Sequence, residues 1–87
     1  MFNFSANHMV WLDSNDYSKA RVSILKDLDT HRCYRVYDYQ KSFVFNPGKV
    51  YCVFGKINSA DKLYLILEQA KEDTRYSIVK GQVIRGS

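Results

Sequence analysis

The stretch SADKLYLILEQAKED, Ser59–Asp73, decides the fold of this chain. Its apolar residues have the i, i+3, i+4, i+7 spacing of one helical face, on Leu63, Ile66, Leu67 and Ala70. A polar residue that can cap a helix begins the stretch, and a carboxylate in the first turn lies beside the positive end of the helix dipole. The residues after Leu67 form helices readily and strands poorly. The sequence therefore predicts a helix over 59–73.

The apolar run Leu63–Leu67 within this stretch also suits a buried strand. If the run is extended, we expect an all-β chain, folded as a small five-stranded barrel of the SH3 or OB type. Periodicity alone does not separate a short buried strand from a helix segment, so the barrel remains the alternative to a fold with helices.

The chain on either side of this stretch repeats one succession of elements. A short apolar run leads into a helix-patterned stretch, which leads into an aromatic and β-branched run. The first succession is Met9–Leu12, Ser14–Asp29 and Cys33–Tyr39, and the second is Val50–Ile57, Ser59–Asp73 and Tyr76–Val79. Repeated strand–helix–strand units of this size predict an α+β fold, the split βαβ (ferredoxin-like) two-layer sandwich. Its order is strand, helix, strand, strand, helix, strand, with both helices on one sheet face.

Length and composition set the class of protein. The 87 residues suffice for a single domain, 1–87, and 46% hydrophobic with 25% charged residues is ordinary globular composition. The longest apolar run, Leu63–Leu67, is far shorter than the roughly 20 residues that cross a bilayer. The opening MFNFSANH has neither the basic segment nor the apolar segment of a secretory signal. We therefore expect a cytoplasmic protein with no membrane partner.

No catalytic or cofactor motif stands out in the sequence. Cys33 and Cys52 are too few for a disulfide framework, and His8 and His31 belong to no cluster with zinc spacing. No glycine-rich phosphate loop, GxSxG or HExxH occurs. We therefore expect no enzyme, no cofactor and no metal. A further alternative is a Mg²⁺-dependent nuclease that uses the two carboxylates of Asp13–Asp16, although helix capping explains the same residues and is the interpretation we prefer.

Charge and surface aromatics indicate a binding module. The net charge of +4 favours a polyanion or an acidic protein surface as partner. Alternation along the predicted strands places aromatic and basic side chains on the open sheet face, at Trp11, Arg35, Tyr37, Lys49 and Tyr51. We expect the three aromatic residues to stack on bases and the two cations to contact phosphates. Lys41, in the connection between the central strands, is a further phosphate contact.

Two short segments resemble signatures of the RNA-recognition motif. VWLDSN (Val10–Asn15) is similar to that family's first-strand signature, and GKVYCVF (Gly48–Phe54) is similar to its third-strand signature. The chain departs from the pattern at Val53, where the family has its second stacking aromatic residue, and at Gly55-Lys56, where it has a closing aromatic residue. The resemblance implies a ferredoxin-like fold and RNA binding through the central strands.

The leading functional hypothesis is a small basic module that binds single-stranded RNA or DNA through the open face. The alternative is a protein–protein interaction or regulatory (inhibitor) module that uses the same face, including as a homodimer. Tyrosine and tryptophan on an open sheet face often pack against a partner chain.

Overall fold

The computed structural model describes residues 1–85, and all regular structure in that range is β. The strands in chain order are β1 (Phe2–Asp16), β2 (Arg21–Asp27), β3 (Cys33–Asp38), β4 (Tyr51–Ile57), β5 (Tyr64–Glu72), β6 (Tyr76–Val79) and β7 (Gln82–Arg85). The predicted ferredoxin-like α+β sandwich is therefore wrong. The alternative, a small all-β barrel, is confirmed.

Five strands close into a barrel in the order β1-β2-β3-β5-β4. β1 closes it by pairing with two neighbours: its first residues, from Phe2, pair with β4, and Met9 to Asp16 pair with β2. β3 and β5 are parallel, and the other neighbours in the barrel are antiparallel. This is the strand order of the OB barrels, so the fold is the OB member of the predicted alternative. The resemblance to the RNA-recognition motif does not extend to the fold.

The stretch predicted as the second helix is β5. The strand pairs with β4 along nearly its whole length and with β3 at Tyr64–Ile66. The ladder with β4 holds its second half extended despite the poor strand propensity of those residues. Leu65 is completely buried in the barrel, and Leu67 and Ala70 pack against the same core. A bulge opposite Phe54 and Gly55 adds one residue, Glu68, between those two inward positions. This bulge changes the spacing from two to three and so imitates a helical stripe.

The first predicted helix, Ser14–Asp29, is instead the end of β1, a tight turn and β2. Along β2, Ser23, Leu25 and Asp27 are buried, whereas Val22 and Ile24 are half-buried on the outside of the barrel. Apolar residues therefore occupy both faces of this strand. For this reason the adjacent pair Ile24-Leu25 does not show the alternation of apolar and polar residues that marks a strand with one buried face. The outer face of β2 is part of the candidate site below.

Aromatic side chains fill one end of the barrel. The segment between β3 and β4 folds inward, and its Phe43 and Phe45 rings meet Tyr51 edge-on at centroid distances of 5.7 and 4.9 Å. Asn46-Pro47-Gly48 leads out of this segment through a turn, and Gly48 has the positive φ of 76° that glycine accepts without strain. The predicted strand Val50–Ile57 is present as β4.

β6 and β7 form a separate hairpin. Lys80 and Gly81 at its tip both have positive φ, 52° and 78°, as a two-residue type I′ turn requires. Gly81 thus belongs to the tight turn of this hairpin. The ring of Tyr76 contacts that of His8 on β1, edge to face, at 4.8 Å. Among residues 1–85 no helix is long and apolar enough to cross a membrane.

Candidate nucleic-acid interface

The two other predicted stacking residues lie in or against the core. Tyr51 is 1% exposed, and its phenol oxygen accepts a hydrogen bond from the Asn46 N–H at 2.7 Å. Its ring is therefore closed to a base. Trp11 is half-buried against the core, and its Nε1–H donates to the Ser14 hydroxyl at 2.6 Å. The open face on which the sequence placed both residues belonged to the predicted sandwich.

Arg35 and Tyr37 point outward from β3, as alternation predicted, since the alternate residues Tyr34 and Val36 are buried. Two cross-strand rows contain them. One row is Val22, Tyr37 and Ile66, and the other is Ile24, Arg35 and Tyr64. β2, β3 and β5 thus form one continuous outer surface.

Three tyrosines cluster on this surface. The rings of Tyr37 and Tyr64 stack with centroids 4.0 Å apart and planes 12° apart, and Tyr39 lies 6.2 Å from Tyr37 at 22°. The hydroxyls of Tyr39 and Tyr64 share a hydrogen bond of 2.6 Å. Tyr39 remains 49% exposed, so much of its surface is free. We call this cluster with the adjoining Arg35 the tyrosine face.

The tyrosine face borders a concavity of about 460 Å³. Its floor is apolar, from the outward side chains of β2, and the turn between β1 and β2 forms its rim. The lining residues are Asn15, Tyr17, Lys19, Ala20, Val22, Ile24, Arg35, Tyr37 and Tyr39. Tyr17 and Lys19 on the rim are both exposed. Aromatic rings, an apolar floor and cations thus meet in one depression.

The other two predicted cations lie away from the centre of this depression. Lys49 precedes β4, and its Nζ is 3.9 Å from a Glu72 carboxylate oxygen. Lys41 follows β3 with a positive φ of 51° and lies near enough to Asp16 to affect it. A hydrogen bond from Arg21 lowers the pKa of Asp16, and the charge of Lys41 lowers it further. Lys41 therefore lies near the end of β1, and neither Lys41 nor Lys49 lines the depression.

Arg35 is held by a carboxylate from the connection between β4 and β5. Its Nη2 donates to Oδ2 of Asp61, and the two side chains are 49% and 44% exposed. Asp61 Oδ1 accepts from the Leu63 N–H at 3.0 Å, so the carboxylate is fixed on its own loop. The Arg35 N–H donates to the Leu63 carbonyl at 2.9 Å, which ties that loop to β3.

The Tyr64 hydroxyl is neutral at physiological pH. The hydrogen bond with Tyr39, together with desolvation by burial, raises the pKa of Tyr64 to about 12. Tyr64 therefore adds no negative charge that would repel a phosphate backbone.

The carboxylates of the alternative nuclease hypothesis already have partners. Asp13 accepts a hydrogen bond from the Ser14 N–H at 2.9 Å, and Asp16 accepts from Arg21 Nε at 2.7 Å. Among residues 1–85 no three histidine, cysteine or acidic side chains are grouped so that they could hold a metal ion. Cys33 and Cys52 are free thiols, the first exposed and the second half-buried.

Sequence reasoning missed half of the site. Tyr64 and Asp61 were assigned to a helix, and Val22 and Ile24 lie in the stretch Ser14–Asp29, which was assigned to another. Tyr17 was also assigned to a helix face, although it lies on an exposed turn closed by its N–H to the Ala20 carbonyl at 2.8 Å. The available signal was the apolar pair at 24–25, which indicates a strand with two apolar faces.

Comparison of the chain with protein-family models, curated proteins and solved structures gives no match.

Proposed function

We propose that this protein is a non-enzymatic module that binds single-stranded RNA or DNA through the tyrosine face. The observation that carries the proposal is the meeting of Tyr37, Tyr39 and Tyr64 with Arg35 and Lys19 around one depression. Bases need flat rings to stack on, and the backbone needs cations beside those rings.

Stacking supplies the larger contribution to affinity. Base–aromatic stacking contributes about 1–3 kcal/mol per base. Tyr39 is the most accessible ring of the cluster, and its orientation is fixed by the hydroxyl pair with Tyr64. A ring held in place before binding loses little conformational freedom when a base stacks on it. Tyr17 on the rim offers a second exposed ring.

Electrostatics makes binding salt-dependent. The net charge is +4, Lys19 lines the depression, and Lys41 lies near the end of β1, beside the turn that forms the rim. Each phosphate neutralised on a single strand adds roughly 0.7 to the slope of log affinity against log salt. Two phosphate contacts thus predict a slope of about −1.4.

The face is short. Four residue steps along β3 separate Arg35 from Tyr39, which at roughly 3.3 Å per residue is about 13 Å. That length suits about two or three nucleotides.

OB barrels commonly bind oligonucleotides at the surface of their second and third strands, which is where the tyrosine face lies. This analogy supports the location, while the proposal depends on the side chains. The free thiols fit a reducing compartment such as the cytoplasm.

The test is binding of a fluorescent single-stranded 10-mer, followed by anisotropy at several salt concentrations. We expect Tyr39→Ala to weaken binding about thirtyfold, which corresponds to the middle of the range for one stacked base. Phe54→Ala is the matched control, because Phe54 is also exposed (40%) but lies on β4 outside the face. Equal affinities for Tyr39→Ala and the parent protein would contradict the proposal.

A protein partner at the same face is the second candidate. The observation that favours it is the apolar character of the surface: Val22 and Ile24 form the floor, and Leu12 and Leu63 are 50% and 44% exposed on the flanking β1 and the β4–β5 connection. An aromatic and apolar depression fits a second copy of this chain or an acidic protein with apolar anchors.

Light scattering separates the two candidates. A dimer whose dissociation constant does not change with salt, and which Ile24→Asp disrupts, would favour the protein-interaction module. A monomer that binds oligonucleotides with a salt slope would favour the nucleic-acid module.

A further inference from the structure

Arg35 is prepared for a different task from an ordinary phosphate contact. Its guanidinium already donates to Asp61, which lies on a well-anchored loop. Within that loop, Asn58 Oδ1 accepts from the Ala60 N–H at 2.7 Å and the Asp61 N–H at 3.2 Å, and Asp61 Oδ1 accepts from Leu63. The carboxylate is therefore in place before any ligand arrives, and it fixes the orientation of the guanidinium.

The ion pair makes Arg35 a poor phosphate ligand. A phosphate that approaches the guanidinium also approaches the negative charge of Asp61, so the pair offers it little net attraction. The guanidinium nevertheless keeps further N–H donors, because it has five in a rigid planar fork and Asp61 engages one side of it. A neutralised, oriented fork suits a neutral, planar ligand that presents two acceptors.

The neighbours of Arg35 place such a ligand beside it. Tyr64 is its cross-strand partner on β5, and Ile24 is its partner on β2. A base stacked at this end of the tyrosine face would therefore turn its edge toward the guanidinium. On the base edge that faces the major groove in a duplex, guanine presents two adjacent acceptors, O6 and N7, which match the fork, whereas adenine presents one acceptor beside a donor.

We propose, on the basis of the proposed function, that Arg35 reads the O6/N7 edge of a guanine and that Asp61 is its positioning residue. The tyrosine face then binds single strands with a preference for guanine at one position. The rim lysines contact the phosphates, and Arg35 does not. This replaces the phosphate role that the sequence suggested for Arg35.

The test uses a fluorescent dT 9-mer that carries one central guanine, 7-deazaguanine or adenine. The 7-deaza base keeps O6 and lacks N7. We expect the guanine oligonucleotide to bind about tenfold more tightly than the adenine one, and 7-deazaguanine to lose most of that advantage. Arg35→Lys is expected to abolish the preference while leaving the salt slope unchanged, since one ammonium cannot bridge both acceptors.

Asp61→Asn tests the positioning role. Asparagine can still accept the Leu63 N–H, so the loop is kept, but the ion pair is lost. We expect the preference for guanine over adenine to fall at least about threefold, while the salt slope steepens by roughly 0.7 as the freed Arg35 engages a phosphate. A merely structural change would weaken all three oligonucleotides equally. Thermal unfolding of both variants shows that the barrel is intact.

Equal binding of the guanine and 7-deazaguanine oligonucleotides would overturn this inference while leaving the proposed function in place. A preference that survives Arg35→Lys would also overturn it. Failure of all three oligonucleotides to bind the parent protein would instead contradict the proposed function.

Discussion

Replacement of Gly55 by alanine tests the β4–β5 pairing on which the barrel depends. Gly55 lies at the bulge, opposite Leu67. A Cβ at this position would overlap the Ile66 carbonyl oxygen, and it would lie 3.0 Å from the carbonyl carbon of Ile66 and 3.3 Å from the Glu68 nitrogen. All three atoms belong to the backbone, so no side chain can turn away to make room.

The expected cost follows from this geometry. Overpacking in a well-packed region costs about 1–3 kcal/mol, and a clash that only backbone movement relieves belongs at or above the upper end. A domain of this length has a total free energy of unfolding of about 4–13 kcal/mol. A loss of about 3 kcal/mol would lower the Tm by roughly 12–24 °C.

The assay is thermal and urea unfolding followed by circular dichroism, with Gly81→Ala as the matched control. Gly81 has a φ of 78° and nothing within 4 Å of its added Cβ, so this variant tests only the left-handed backbone conformation. We expect it to cost about 1 kcal/mol. If Gly55→Ala were no more destabilising than Gly81→Ala, the close approach of β4 and β5 would be wrong. The assignment of 64–72 as a strand would then lose its main support.

Three further predictions concern hydrogen bonds. Hydrogen bonds from the Arg75 side chain lower the pKa of Asp73 to about 2 from its ordinary 3.8, so the stabilisation that they provide is complete above about pH 4 and is lost as the pH falls through 2; in Arg75→Gln, an NMR titration should find the Asp73 pKa raised toward 3.8, and an unchanged value would contradict the pair. The pKa of Tyr64, about 12, should fall toward 10 in Tyr39→Phe, as measured by ultraviolet absorbance, and an unchanged value would contradict the hydroxyl pair. Tyr51→Phe should cost about 1–2 kcal/mol in urea unfolding, because a part-buried backbone N–H loses its acceptor at 2.7 Å, and a neutral effect would contradict this hydrogen bond.

The strands of this protein were largely readable from its sequence. Aromatic and β-branched runs predicted the positions of β3, β4 and β6, and alternation correctly placed Arg35 and Tyr37 outside and Tyr34 and Val36 inside. These predictions succeeded because one face of β3 is buried and the other is largely polar or aromatic, which is the pattern that alternation detects.

The helices were wrong for two physical reasons. In β2 the outer face also carries apolar side chains, so Ile24 points outward while the next residue, Leu25, points into the core. Two adjacent apolar residues do not alternate as a strand with one polar face would, and they were therefore read as part of a helix. In β5 the bulge at Glu68 separates the inward residues Leu67 and Ala70 by three positions, which is also a helical spacing. Neither the binding surface nor the bulge can be inferred from local periodicity, because each exists only through pairing with distant strands.

The candidate site was partly predictable for the same reason. Arg35 and Tyr37 were identified because their own strand was identified. Tyr51 was misplaced because closure of the barrel turns one face of β4 into an interior, whereas the sandwich would have left the face with Tyr51 open. Tyr64 joins the site only through the parallel pairing of β3 with β5, which joins residues nearly thirty positions apart in the chain.

The central claim is that the outer surface of β2, β3 and β5 binds single-stranded nucleic acid. It is tested most directly by titrating ¹⁵N-labelled protein with an unlabelled single-stranded 10-mer and recording backbone amide shifts. We expect the largest amide shifts on Val22, Tyr37, Tyr39 and Tyr64 and on the turn 17–20, with little change on the β6–β7 hairpin. Shifts confined to the hairpin or to the β4 surface around Phe54, or no shifts at millimolar oligonucleotide, would contradict it.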